Sequence, residues 1–510
     1  MGVEKLNATC PVCPAPAKSV CAACGDIAYC SREHQKQHWK NHKPICIPFK
    51  EAVSEVFGRY LISTRRIRPN EVIIKEAPLV LGPKQVGPPV CLVCFRILGD
   101  ESLDPATLEA CSNCRWLCCS SACAQAHSSI KECSILQRYA APDITSALAT
   151  PHPHYQLVTP LRCLLEISDE AHPILRMESH VKEMKNTVVY QQNLNDVVKV
   201  LKQRYGLEQD DERILEVSGI LQCNAFEVRR GKAVRARGLY PTAFLMVHDC
   251  TANTRHEFDE KHHIIVRATR KIRKGDPISA CYTNPLEPTS YRQSHLKFAK
   301  YFKCQCRRCM DPTELGTNFA SWYCRHCLQG LTIPVLGSFA GTHTCQECGK
   351  ENEGSMITER TSQLQRQLRG LQRNVVSFLG FIETTSKIVP RWNHILVQAQ
   401  FALLKIWTGA EKESRSTVLS DLQGMAESLL ELASKIDPGM TSFRAFLLFT
   451  LDWILQQRDS ATTSMEKLDR RRKLLEDVIV IGINDPPHSE TFKLASLAQE
   501  RLADSDLRLL

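Results

Sequence analysis

The stretch GLYPTAFLMVHDCTAN, Gly238 to Asn253, ends an apolar run on His248, Asp249 and Cys250, with Asn253 three residues further on. By themselves these residues fit a catalytic triad fragment, one corner of a metal site or part of a larger motif. Further along, FKCQCRRC supplies Cys304, Cys306 and Cys309, one ligand short of a tetrahedral site. Cys250 is a candidate for the missing ligand, which would make it structural rather than nucleophilic. A free or reactive thiol is the competing reading.

The rest of the chain bears on that choice. It has 510 residues, 25 cysteines and a formal net charge of +10, enough length for two to four domains. Met1 to Asn7 carries no apolar signal core, and no window reaches the unbroken apolar length of a membrane span; the segment FRAFLLFTLDWILQQ is interrupted by Asp452. The expectation is therefore an intracellular protein, cytoplasmic and/or nuclear, with no membrane partner. In that compartment abundant cysteine points to thiolate–metal chemistry rather than disulfides. The basic run RATRKIRKG, Arg267 to Gly275, reads first as a solvated surface; DNA binding is the weaker alternative.

The cysteines come in clusters. Cys10, Cys13, Cys21, Cys24, Cys30, His34, His42 and Cys46 give eight ligands, enough to staple two zincs into a domain too small for its own core. A second, less regular cluster holds Cys91, Cys94, Cys111, Cys114, Cys118, Cys119, Cys123, His127 and Cys133. A last one, Cys324, Cys327, Cys345 and Cys348, has zinc-ribbon spacing and four thiolates that close the site. Between the clusters, GRYLISTRRIRPNEVIIKEAPLV (Gly58 to Val80) alternates around Arg68-Pro69-Asn70 and reads as a β-hairpin. Thr159 to Leu221 has helical spacing, Asn224 to Tyr282 returns to short strands, and the chain from about Glu359 is helical. Its helix pairs resemble tetratricopeptide repeats without the strict signature.

The segment YCSREHQKQHWKNHKPIC, Tyr29 to Cys46, resembles a MYND zinc finger. GRYL…TRRIRPNEVI, NAFEV, GLYPTAFLMVHDCTAN, IIVRATRKIRKGDPISACY and FKCQCRRC, in this order, resemble a SET domain split by a MYND finger, the arrangement of the SMYD protein methyltransferases. The additional N-terminal finger looks most like the arthropod SmydA branch. The implied fold class is α+β, zinc-rich and multidomain: a β-rich SET core split by a MYND finger, a post-SET zinc site and a C-terminal α-helical, TPR-like domain. The implied boundaries are an N-terminal finger at 1–50, SET parts at 51–90 and 223–290, and an inserted finger at 91–133. A helical insert at 134–222, a post-SET segment at 291–312, a ribbon-like segment at 313–357 and a helical domain at 358–510 complete the division.

The resemblance also distributes roles. In the first finger one zinc takes Cys10, Cys13, Cys30 and His34, the other Cys21, Cys24, His42 and Cys46. In the second, Cys91, Cys94, Cys119 and Cys123 form one set, and Cys111, Cys114, His127 and Cys133 the other, with Cys118 a spare thiol or a replacement for Cys119. Occupancy of only one of these two sites is the alternative. Cys250 joins Cys304, Cys306 and Cys309. Tyr282 becomes the catalytic tyrosine, Phe302 stacks on adenine, and Arg59, Tyr60, Asn224, Val247 and His248 fall at S-adenosylmethionine-contacting positions. Two residues depart from the family. Val247 replaces an asparagine and cannot hydrogen-bond through its side chain; Tyr60 replaces a glycine and blocks the pocket if its ring points inward. The implied function is protein-lysine methylation with S-adenosylmethionine and structural Zn²⁺, on a protein or peptide substrate bearing lysine. The alternative is a degenerate SET/MYND scaffold that recruits proline-containing peptides through its fingers, for example in transcriptional regulation.

Overall fold

The computed structural model describes residues 9–21, 27–141, 143, 145, 148, 153–231, 234–335, 342–409, 418–458 and 464–504. The expected ligand Cys24 lies outside the described residues.

Strand Phe49–Ser54 pairs antiparallel with Gly58–Ser63. The turn between them ends on Gly58, whose φ of 63° lies in the left-handed region that a side chain makes costly. The hairpin expected within Gly58 to Val80 therefore does not form. Gly58–Ser63 pairs backwards with Phe49–Ser54, and Val72–Glu76 pairs with Ile264–Ala268. The bend at Arg68-Pro69-Asn70 is present, with Asn70 at φ 62°. The strands it separates nevertheless leave for different sheets: Gly58–Ser63 turns back on the strand just before it, whereas Val72–Glu76 takes a partner far along the chain.

Val72–Glu76 is an edge of a three-stranded sheet completed by Ile264–Ala268 and Thr254–Phe258. A second sheet orders Val80–Gly82, Val234–Leu239 and Phe226–Arg230. Val247–His248 runs parallel to Ser279–Ala280. Asn253 locks this crossing: its Oδ1 accepts from the Ser279 N–H at 2.9 Å, and its Nδ2 donates to the Pro277 carbonyl at 2.8 Å. Helices Val158–Glu166 and Asp211–Asn224 cover the sheets and share their core, built on Leu161, Ile214, Val228, Leu239, Ile264 and Val266.

The zinc ribbon is a four-stranded sheet, Trp322–Tyr323, Leu331–Pro334, His343–Cys345 and Glu351–Asn352. Seven helices follow among the described residues, Gly354–Gly370, Val375–Ser386, His394–Gly409, Leu419–Ile436, Ser442–Arg458, Met465–Gly482 and Glu490–Asp504. Apolar stripes at helical spacing bury Leu403, Trp407, Leu429, Leu447 and Ile454 in a separate core.

This layer docks on the sheet of Thr254–Phe258 and Ile264–Ala268 through a polar seam. Arg255 and Arg267 reach Asp485 at 2.5 and 3.1 Å, and Asn70 donates to the Val480 carbonyl at 2.7 Å. Gly439, φ 100°, is required on two counts, since a Cβ there would meet the Thr269 carbonyl oxygen at 2.3 Å. Glu257 faces the same seam, and burial together with the Asp485 and Glu490 charges pushes its carboxyl up to about 7 from 4.5. The folded state then holds a proton that the unfolded chain has released, so this group lowers stability as pH rises from 4.5 to about 7. Glu257→Gln is expected to flatten that fall in a pH series of urea midpoints. An unchanged slope would show that the carboxyl is already ionised.

Candidate functional site

Five four-ligand sets converge, with all ligand atoms of a set within 4.8 Å of one another: Cys10, Cys13, Cys30 and His34; Cys91, Cys94, Cys119 and Cys123; Cys111, Cys114, His127 and Cys133; Cys250, Cys304, Cys306 and Cys309; Cys324, Cys327, Cys345 and Cys348. Their chemistry can be tested by distance. A tetrahedral zinc with Zn–S bonds of about 2.3 Å holds its sulfurs about 3.8 Å apart. Sulfur–sulfur distances are 3.5 Å for Cys13–Cys30, 3.7 Å for Cys111–Cys133, 3.8 Å for Cys324–Cys348 and 3.4 Å for Cys250–Cys309. These are zinc-like and far too long for disulfides. Cys21 and Cys46 also approach, at 3.9 Å, and His42 is fully buried. Cys118 is buried outside the sets, its Sγ toward the Trp116 carbonyl.

Surrounding side chains suit metal ligation. His127 directs Nδ1 to Cys114 and Nε2 to Glu132 at 3.5 Å, and Arg162 grips the same carboxylate, an arrangement that fixes ring and tautomer. At the Cys250 set, the fully buried Arg292 donates from Nε to Cys250 Sγ at 3.2 Å and from Nη2 to Cys309 Sγ at 3.5 Å. Its Nη1 meets Glu314 at 2.9 Å, and Arg308 reaches the same carboxylate at 2.9 Å. Burial pushes the Glu314 carboxyl up, but the two guanidiniums outweigh it and hold the group below its ordinary range.

Beside this centre lies a cavity of about 1010 Å³. Arg59, Asn224, Val247, His248, Tyr282 and Phe302 line it, as do Phe244 and Lys300. They come from the start of strand Gly58–Ser63, the end of helix Asp211–Asn224, the parallel crossing and the segment after helix Thr289–Lys300. His248 joins the cavity to the metal centre. Its Nδ1 accepts the Tyr282 N–H at 3.0 Å, which leaves Nε2–H to donate toward Cys250 Sγ at 3.2 Å. Burial pushes its pKa down to about 4, consistent with a neutral ring. The Tyr282 hydroxyl donates to the Met246 carbonyl, and burial raises its pKa so that it stays protonated. The Phe302 ring lies 5.9 Å from that of His248 and is partly exposed.

A MYND-finger model matches residues 10–46 and a SET-domain model residues 58–283. The chain is 29% identical to SET domain-containing protein SmydA-8, isoform A, of Drosophila melanogaster, over 55% of this chain and 60% of that protein. It is 27% identical to histone-lysine N-methyltransferase ASHR1 of Arabidopsis thaliana over 50% of this chain and 53% of that one. A shorter match, 32% identical over 17% of this chain and 20% of the relative, is to histone-lysine N-methyltransferase SMYD3 of Mus musculus. The chain carries a MYND finger and a SET domain and is similar to SMYD-type proteins. It spans about 60% of the length of the first of these relatives.

The expected contact residues divide. Tyr60 is a correction: it is not among the residues that line the cavity, although its ring lies 5.3 Å from that of Phe57, which is. Asn224 lines the cavity, but its Nδ2 already donates to the Glu178 and Ile220 carbonyls, both at 2.8 Å, so it offers a ligand only its oxygen. Arg59 donates to the Arg176 carbonyl and lies 3.7 Å from Glu51. Lys300 was missed by sequence reasoning. Its cavity partners Gln222 and Cys223 are far away in the chain, and no local pattern announces the contact.

Proposed function

We propose that the cavity binds S-adenosylmethionine and that the protein methylates lysine side chains. The observation that carries this reading is the single cavity that gathers Tyr282, His248 and Phe302 beside the Cys250 metal set. The volume suits a ligand of that size. Phe302 and His248 offer aromatic faces for an adenine, and Arg59 and the Asn224 oxygen supply polar contacts. Bound S-adenosylmethionine supplies the methyl group. Tyr282 is held at both ends, by the Met246 carbonyl and by His248, so its position is set before any ligand enters. A neutral, protonated phenol presents its oxygen lone pairs to developing positive charge and leaves no phenolate to be alkylated. The narrow, partly apolar wall formed by Phe244, Leu245, Met246 and Val247 favours loss of the acceptor ammonium's proton, because burial disfavours charge on an amine.

Val247 is the departure with consequences, because it lines the cavity with a side chain that makes no hydrogen bond. Calorimetric titration of the zinc-loaded protein with S-adenosylmethionine and S-adenosylhomocysteine tests the proposal. Val247→Asn is expected to tighten binding by roughly ten- to a hundredfold, the worth of one buried hydrogen bond of about 1–3 kcal/mol. Tyr60→Gly should leave the affinity within a few-fold, since that side chain is not part of the cavity lining. Absence of binding by the natural protein and by Val247→Asn would leave the scaffold reading, in which fingers and helices recruit partners.

A further inference from the structure

Helix Thr289–Lys300 ends at Tyr301, whose left-handed backbone, φ 61°, reverses the chain. A non-glycine residue in that conformation is uncommon, and here the Tyr301 ring is fixed by stacking on His180 at 5.4 Å. The reversal places both neighbours, Lys300 and Phe302, on the same cavity. The Lys300 side chain runs inward rather than to solvent. Its Nζ donates to the Cys223 carbonyl at 2.7 Å, lies 3.4 Å from the Gln222 carbonyl, and stands 5.7 Å from the centre of the Tyr282 ring. Among the described residues no carboxylate is paired with it; its partners are two carbonyls at the end of helix Asp211–Asn224 and an aromatic face.

Backbone carbonyls and a tyrosine face are the groups that hold an amine without fixing it as an ammonium. They attract the cation weakly, accept its N–H groups, and tolerate an added methyl as well as a proton. Burial opposes that weak attraction and pushes the Lys300 pKa down from 10.5, which favours the neutral, nucleophilic form relative to an exposed lysine. Capping of the helix terminus would account for the carbonyl contacts alone. It does not account for the placement of the ammonium over Tyr282, within the cavity that also holds His248 and Phe302.

We infer that Lys300, which lines the cavity together with Lys271 and Lys303 and alone of the three lies over the Tyr282 ring, is a site of intramolecular methylation. The inference rests on the proposed binding of S-adenosylmethionine. In the step, the Lys300 Nζ lone pair forms a bond to the methyl carbon as the carbon–sulfur bond breaks. The sulfonium becomes the thioether of S-adenosylhomocysteine, and the nitrogen's remaining excess proton leaves to solvent. Bringing a sulfonium into the cavity also favours deprotonation of Lys300 beforehand, because two cations repel at short range in a poorly solvated site.

The test uses the full-length, zinc-loaded protein. Calorimetry in two buffers of different ionisation enthalpy should show proton release on binding S-adenosylmethionine but little on binding S-adenosylhomocysteine, with the difference lost in Lys300→Met. Incubation with S-adenosylmethionine followed by peptide mapping should place one or more methyl-for-hydrogen mass increments on Lys300, at a fractional rate that does not change when the protein is diluted. Lys300→Arg should remove the mark. Binding of S-adenosylmethionine with an unmodified Lys300 and no difference in proton release would overturn the inference while leaving the cofactor reading intact. A rate that scales with protein concentration would overturn the intramolecular route. Failure of both ligands to bind would remove the cofactor reading and this inference with it.

Discussion

Zinc chelation from the intact, reduced protein is expected to unfold the N-terminal finger outright. The buried apolar cluster of this region consists of Cys10, Cys21, Tyr29 and Cys46, with Val12, Cys13, Ile27 and Cys30 partly buried around them. Five of these eight residues are ligands by the groupings above, so the metal and the core are the same object. Structural zinc contributes about 10–16 kcal/mol in finger peptides, more than a cluster of this size can supply through apolar burial. Hydrogen exchange should therefore lose protection through residues 28–46 and in the ribbon around Cys324 and Cys345. The helical core built on Trp407, Leu429 and Leu447 contains no ligand and should keep its protection. Retained protection in the metal-free finger would mean that zinc is not what holds it. Native mass spectrometry should count five zincs or more in the untreated protein, one for each four-ligand set.

The second large effect is expected from Arg292→Met. The arginine is fully buried and connects two of the four sulfur ligands of the Cys250 set, Cys250 and Cys309, to Glu314, which Arg308 also grips. Four thiolates around a divalent cation carry a net negative charge, and a buried guanidinium that donates to two of them offsets part of it. Methionine fills a similar volume but leaves that charge and one face of Glu314 uncompensated, for a loss of about 3–5 kcal/mol. A lower thermal midpoint and faster zinc transfer to a competing chelator should appear together. A variant that melts like the natural protein and releases zinc no faster would show that the cluster is already balanced by other groups. Because His248 and Tyr282 hang from the same Cys250, cofactor affinity in Arg292→Met reports how far the metal centre sets the cavity wall.

Much of this was legible in the chain itself, for a physical reason. Thiolate pairs with two residues between them reach one metal through local geometry. The pairs are readable as spacing, the resemblance to MYND fingers groups them into the Cys10, Cys91 and Cys111 sets and ribbon spacing into the Cys324 set, and the structure brings those same residues together. Helical periodicity of the C-terminal part is local in the same sense. Strand partners are different. Alternation marks Gly58–Ser63 and Val72–Glu76 as strands, but it carries no address, and the expected hairpin gave way to pairings with Phe49–Ser54 and Ile264–Ala268.

The sequence by itself thus determined the Cys-x-x-Cys pairs, the order of the segments and the likeness to SET and MYND domains that groups the zinc ligands. Each of these rests on residue identities at short or countable separations. Only the tertiary structure decided that Tyr60 stays out of the cavity lining, that the Asn224 donors are already used, and that Lys300 enters the cavity. The last two depend on how the end of helix 211–224 meets Glu178 and how helix 289–300 lies against it. They are contacts between segments distant in the chain, set by the burial of whole faces rather than by any residue's immediate neighbours.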